Sequence, residues 1–203
     1  MPTNLTSGSG GIGGVFADED YVRAIRHGLS RDGKSLVIMP SEQYNKISDE
    51  DLGNIIAYLK TLPPVDNDLE GSGLAALGRM IAVFEGSLVP ATLIDHDAPR
   101  EPSPAVGVTV EYGEYLTEIC TVCHGEGLSG GQVPGNERIF AADLTQGGDI
   151  GTWTQTQFID TIRSGRTPRG NLLDPQFMPW NRFTQMTNDE LDAIWLYLQS
   201  LPA

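Results

Sequence analysis

Cysteine is almost absent from this chain. Its 203 residues include 2 cysteines, Cys120 and Cys123, both in one five-residue stretch. A disulfide framework is not expected from such usage. A zinc site needs four ligands, and the other histidines are only His27 and His96. Basic charge is also scarce, with 13 Lys+Arg against 27 Asp+Glu and a formal charge of −14. Nucleic acid is therefore not an expected partner. Long apolar runs are missing too. The best one, Leu74–Leu93, is interrupted by Gly78, Arg79, Glu85 and Gly86, so no membrane-spanning helix is expected. The opening Met1-Pro2-Thr3-Asn4 has neither a basic n-region nor an apolar h-region, so no signal peptide is visible.

What is present centres on Cys120-Thr121-Val122-Cys123-His124. Two cysteines three apart, followed at once by histidine, form the attachment signature of c-type haem. The thiols would form thioether bonds to the haem vinyl groups, and the imidazole would ligate the iron. A redox disulfide or a zinc half-site are the competing readings. The first would want a βαβ context that is absent. Numerous glycines (24) and prolines (13) suit loop-rich domains wrapped around a cofactor that supplies part of the core.

The chain also repeats itself, which bears directly on its organisation. Ser48–Pro63 mirrors Thr187–Pro202. Both read as helices with Ser48 or Thr187 at the N-cap and an acid three residues on. Leu52, Ile55, Ile56, Leu59 and Leu191, Ile194, Trp195, Leu198 recur at i, i+3, i+4, i+7, one buried face each. Upstream, Tyr21–Gly28 lines up with Phe158–Gly165, Met39-Pro40 with Met178-Pro179, and Asn4-Leu5-Thr6 with Asp143-Leu144-Thr145. The pattern predicts a partial module over 1–65 without CxxCH, a Pro-containing connector over 66–105 with a short helix near Gly73–Phe84, and a complete module over 106–203. In the partial module Ile25, Leu36, Met39, Ile55, Ile56 and Leu59 are expected to lack much of their burial. Formal charge divides as −2 for 1–65 (6 basic, 8 acidic), −5 for 66–105 (2, 7) and −7 for 106–203 (5, 12).

Within the complete module, Tyr112, Tyr115, Leu116, Ile119 and Cys120 repeat at helical spacing, so the motif is expected at the C-terminal end of a helix starting near Val110. Gly125, Gly127, Gly130 and Gly131 then let the chain curl away. A loop carbonyl near Pro134 is expected to accept from His124 Nδ1–H and fix the tautomer. Met178 is the candidate sixth ligand. The following Pro179 stiffens its loop, and a neutral thioether favours Fe(II). Met186 is the local rival, read as a core residue at the edge of the last helix, and His96 is the bis-histidine rival. Trp153, Trp180, Arg163, Arg166 and Arg169 are candidate donors to haem propionates; the alternative is core for the tryptophans and solvated surface for the arginines.

A CxxCH near the start of a module, a late Met-Pro loop and a closing amphipathic helix together resemble a class I cytochrome c domain. The tandem arrangement resembles, more specifically, the multi-haem cytochrome c subunits of periplasmic or membrane-bound alcohol dehydrogenases. The phrases Asn4-Leu5-Thr6, Ala24–Gly28, Met39-Pro40, Ser48–Leu52 and Met178-Pro179-Trp180 carry that likeness. The resemblance implies an all-α cytochrome c-type fold and one haem c per chain, held by Cys120, Cys123, His124 and Met178. The function it implies is electron transfer, not catalysis, between a periplasmic dehydrogenase and an oxidase or quinone-linked acceptor. Location is expected to be extracytoplasmic, with membrane association through a missing segment or a partner subunit. A haem enzyme such as a di-haem peroxidase, or a redox or gas sensor, is the alternative. The first module has Met39 but no CxxCH. Either an upstream portion, with a second haem motif and a signal peptide, lies outside this sequence, or a degenerate module is kept for packing.

Overall fold

The computed structural model describes residues 3–36, 39–68, 90–133 and 136–203. The chain divides into two compact units, Met1–Ser103 and Pro104–Ala203. Most of the described secondary structure is helical, with one small hairpin. The helix expected near Gly73–Phe84 lies outside the described residues.

The first helix of the second unit, α4 (Val110–Thr117), is capped by Thr109, whose hydroxyl accepts from Tyr112 N–H. A single 3-10 turn over Glu118–Cys120 passes directly into α5 (Thr121–His124), so the motif ends one nearly continuous helical run. Gly125, at φ +76°, stops it in a conformation that L side chains rarely adopt. A short antiparallel hairpin follows, β1 (Gly131–Val133) with β2 (Asn136–Ala141), pairing Gly131 with Ala141 and Gln132 with Phe140. The all-α expectation holds apart from this hairpin.

Next comes α6 (Gln155–Ser164), opened by a reciprocal Thr154/Gln157 capping box and closed by Gly165 in the left-handed conformation. The last helix, α7 (Asn188–Ser200), opens with the Thr187/Glu190 capping box. Its apolar face forms the core with Leu128, Ile150 and Phe158, where Leu191, Ile194 and Leu198 are buried. Trp195, Leu116, Cys120 and Met186 pack partly buried against that core. Helices α4 and α7 cross at Gly113, where an added Cβ would lie 2.6 Å from the Ala193 carbonyl carbon and 2.8 Å from Tyr197 Cβ. Only a glycine lets the two backbones approach so closely.

The first unit reproduces the repeat down to individual hydrogen bonds. Among its described residues the α-helices are α1 (Asp18–His27), α2 (Ser41–Tyr44) and α3 (Asp49–Thr61). Gly28 and Gly165 both end their helices left-handed, at φ +64° and +69°. Each accepts from a residue further on, Leu36 N or Leu173 N, both at 2.7 Å. Asn4 Oδ1 accepts from Thr6 N and Oγ1, as Asp143 Oδ1 accepts from Thr145 N and Oγ1. Arg26 donates to Asp49, and Arg163, its counterpart, donates to Asn188 at the matching first position of the closing helix.

Two expectations need correction. Ile25 and Ile56, expected to lack cover, are 8% and 6% exposed in a core with Tyr21 and Leu52. Ile12 and Phe16, from the loop before α1, and Met39 pack against that core and supply the cover. The second concerns Pro90–Ser103, expected as part of the connector. Ser103 Oγ donates to Ser48 Oγ (2.6 Å) and Asp51 Oδ2 (2.9 Å) at the start of α3. Arg100 donates to Asn45 O (3.2 Å) and Oδ1 (3.0 Å). Polar side chains here bind the segment to the unit before it, which proline spacing alone does not reveal.

Candidate haem-binding site

The helical run α4–α5 places Cys120, Cys123 and His124 within about one turn of each other. His124 is 8% exposed. Its Nδ1 lies 2.7 Å from Ala142 O. A carbonyl can only accept, so Nδ1 carries the hydrogen and Nε2 is left with its lone pair. Burial lowers the imidazole's pKa, and the bond to Ala142 opposes this only in part. The ring is thus held neutral, oriented, and in the tautomer an Nε2 ligand requires.

The acceptor is therefore Ala142, after β2, and not a carbonyl near Pro134, which itself lies outside the described residues. The hairpin carries the chain out and back before it returns past the imidazole. The loop between is closed tightly. His124 O accepts from Gly130 N at 2.9 Å, and Leu128 O accepts from Leu144 N at 2.8 Å. Leu128 sits at φ +55° and is 1% exposed, so a left-handed residue is tolerated there to keep its side chain in the core.

Burial, then the charges of Cys123 and Glu118, pushes the Cys120 thiol up to about 11. Burial raises Cys123 as well. Both are therefore protonated thiols near neutral pH. Among the described residues no group of three or more His, Cys, Asp or Glu is placed to hold a metal ion. A buried neutral imidazole with a free Nε2, beside two neutral thiols, fits a covalently held haem.

Met178 lies in the loop between α6 and α7 and is partly buried. Its backbone is fixed on both sides: its N–H donates to Asp174 O at 2.9 Å and its carbonyl accepts from Trp180 N at 2.7 Å. Met186 packs against the core, as expected of a residue just before the N-cap. His96 instead pairs with His27, Nδ1 to Nδ1 at 2.9 Å, in the first unit. Of the residues read as propionate donors, Trp153 packs partly buried against the core, Trp180 Nε1 donates to Leu173 O (3.1 Å), Arg166 to Gly170 O (2.9 Å), and Arg163 to Thr184 O. Arg169 pairs with Asp149 at 3.0 Å. Ala142 and Gly113 were missed by sequence reasoning. A carbonyl acceptor carries no residue signature, whereas Gly113, a lone glycine inside a helical pattern, is a readable sign of close helix packing.

The cytochrome c family profile matches residues 110–202. The whole chain is similar to the fructose dehydrogenase cytochrome subunit of Gluconobacter japonicus, 27% identical over 99% of this chain and 44% of that protein. It is similar to the cytochrome c subunit of the quinone alcohol dehydrogenase of Gluconobacter oxydans, 25% identical over 99% of this chain and 46% of that one. A diheme cytochrome c-type protein of Cereibacter sphaeroides is 29% identical over 95% of this chain and 68% of its own length. The chain spans about half the length of the dehydrogenase cytochrome subunits it matches. Residues 110–202 are thus similar to cytochrome c domains, which hold haem c covalently.

Proposed function

We propose that the chain transfers electrons through one haem c attached at Cys120 and Cys123 and ligated by His124 and Met178, without acting on a substrate of its own. When bound, the haem supplies the one-electron Fe(II)/Fe(III) couple. The protein's part is ligation, burial and orientation. His124 Nε2 is presented by the Nδ1–Ala142 bond. The Met178 thioether, soft and uncharged, favours the ferrous state and raises the potential relative to a second imidazole. The observation that carries this reading is the buried, tautomer-fixed His124 directly after two neutral thiols.

The donor is a dehydrogenase subunit, and the acceptor an oxidase or quinone-linked protein. The names of the relatives, cytochrome subunits of fructose, gluconate and alcohol dehydrogenases, support the first. No helix among the described residues is long and apolar enough to cross a membrane. The site of action is extracytoplasmic. The test is expression with a cytochrome c maturation system, followed by haem staining after denaturation. Staining is expected for the native chain and absent in the Cys120→Ala/Cys123→Ala double variant. Haem that stays bound in that variant overturns the assignment.

A further inference from the structure

We propose that Trp180, seated directly on the α-carbon of Gly165, is the positioning residue that fixes the Met178 sulfur. The inference rests on the reading of Met178 as axial ligand.

In the loop from Gly165 to Trp180, Leu173 ties the end of α6 to the indole through its own N–H and C=O. Leu173 N–H donates to Gly165 O at 2.7 Å, while Leu173 O accepts from Trp180 Nε1 at 3.1 Å. Leu173 is thus a crossbeam between the end of α6 and the indole. The other end of Trp180 holds the ligand strand, because Trp180 N–H donates to Met178 O at 2.7 Å. With Met178 N–H bound to Asp174 O at 2.9 Å, both peptide groups of Met178 are fixed. Arg166 and Leu172 form an isolated antiparallel bridge that closes the loop base.

The indole can occupy this place only because Gly165 has no side chain. A Cβ there would lie 2.5 Å from Trp180 Nε1 and 2.6 Å from Cζ2, inside contact distance. Gly165 therefore meets two demands: φ +69° at the helix end, and a flat seat for an aromatic ring. The first unit isolates the second demand. There, Gly28 has the same left-handed cap, but Ser41 stands in the place of Trp180, and a Cβ would meet Ser41 Oγ at 3.1 Å. The helix cap is common to both units, whereas the indole brace belongs to the unit with the haem motif. A thioether is a weak iron ligand, so its bond depends on the loop that presents it.

The test uses the haem-loaded full chain and three variants. Trp180→Phe keeps the ring but removes the bond to Leu173 O. Gly165→Ala displaces the indole. Gly28→Ala imposes the same cap strain in the other unit. Added imidazole competes with Met178 for the iron, and the far-red Met–Fe(III) band reports ligation. In Trp180→Phe, imidazole affinity is expected to rise about three- to tenfold, the worth of one hydrogen bond. In Gly165→Ala it is expected to rise about tenfold or more, with a weakened band. Gly28→Ala is expected to leave both readouts unchanged. Covalent haem content should be equal in all three. A native band with imidazole affinity unchanged in Trp180→Phe and Gly165→Ala overturns this proposal alone. A native protein without the band overturns the Met178 reading, and this proposal with it.

Discussion

Replacing Gly113 by alanine tests how the haem motif is held. Gly113 lies in α4, upstream of the motif, and touches the Ala193 backbone of α7. A Cβ would stand 2.6 Å from the Ala193 carbonyl carbon and 2.8 Å from Tyr197 Cβ, against an ordinary contact of 3.4–4 Å. The obstacle is backbone, so no rotamer change relieves it and the helices must separate. Overpacking of this kind costs about 3 kcal/mol at the upper end. Alanine's better helix propensity returns about 1 kcal/mol. The net loss is about 2 kcal/mol, and for a unit of this size that lowers Tm by about 8 °C or more. Thermal melting of the haem-loaded chain, followed at the haem absorbance, measures it. Gly53→Ala in α3 is the opposite-sign control: nothing lies within 4 Å of its Cβ, so the same substitution is expected to stabilise the first unit. A Gly113→Ala protein that melts at or above the native temperature refutes the close-crossing argument.

Further outcomes follow from the first unit and from the charge. Burial, then His96, Arg100 and Arg26, lowers the His27 pKa from 6.5, with Asp97 opposing. The unfolded chain therefore binds the proton first, so the first unit is expected to lose stability as pH falls below about 6.5, and His27→Gln should flatten that slope in urea titrations. Arg26 is 5% exposed and donates to Ile47 O (2.8 Å), Ser48 O (3.1 Å) and Asp49. Arg26→Ala takes away the donor to Ile47 O and Asp49, while Ser48 O keeps its bond from Leu52 N (3.1 Å), and is expected to cost about 1–3 kcal/mol, read as faster amide exchange across α1 and α3. The chain's −14 charge predicts a partner with a basic patch and an electron-transfer rate that falls as salt rises. A rate flat with ionic strength would show that the acidity serves solubility alone.

The haem motif, the helix caps and the internal repeat are legible in the sequence because residue type at fixed spacing carries each of them. Thr187 with Glu190, and Gly165 after α6, announce their roles by side chain or by its absence. The acceptor for His124 does not, since every residue offers a carbonyl and only the hairpin's path selects Ala142. Docking of Pro90–Ser103 on the first unit is equally hidden. It depends on Ser103, Arg100 and His96 meeting partners more than fifty residues away, and no local pattern encodes that. The burial of Ile25 and Ile56 depends on loop residues Ile12 and Phe16, which lack the periodicity that marks a helix face.

The central claim is tested most directly by the oxidised spectrum and midpoint potential of the haem-loaded Met178→Ala variant. The account predicts covalent haem retained through Cys120 and Cys123, loss of the far-red Met–Fe(III) band, and a potential below the native value. A variant that keeps both the band and the native potential would contradict it.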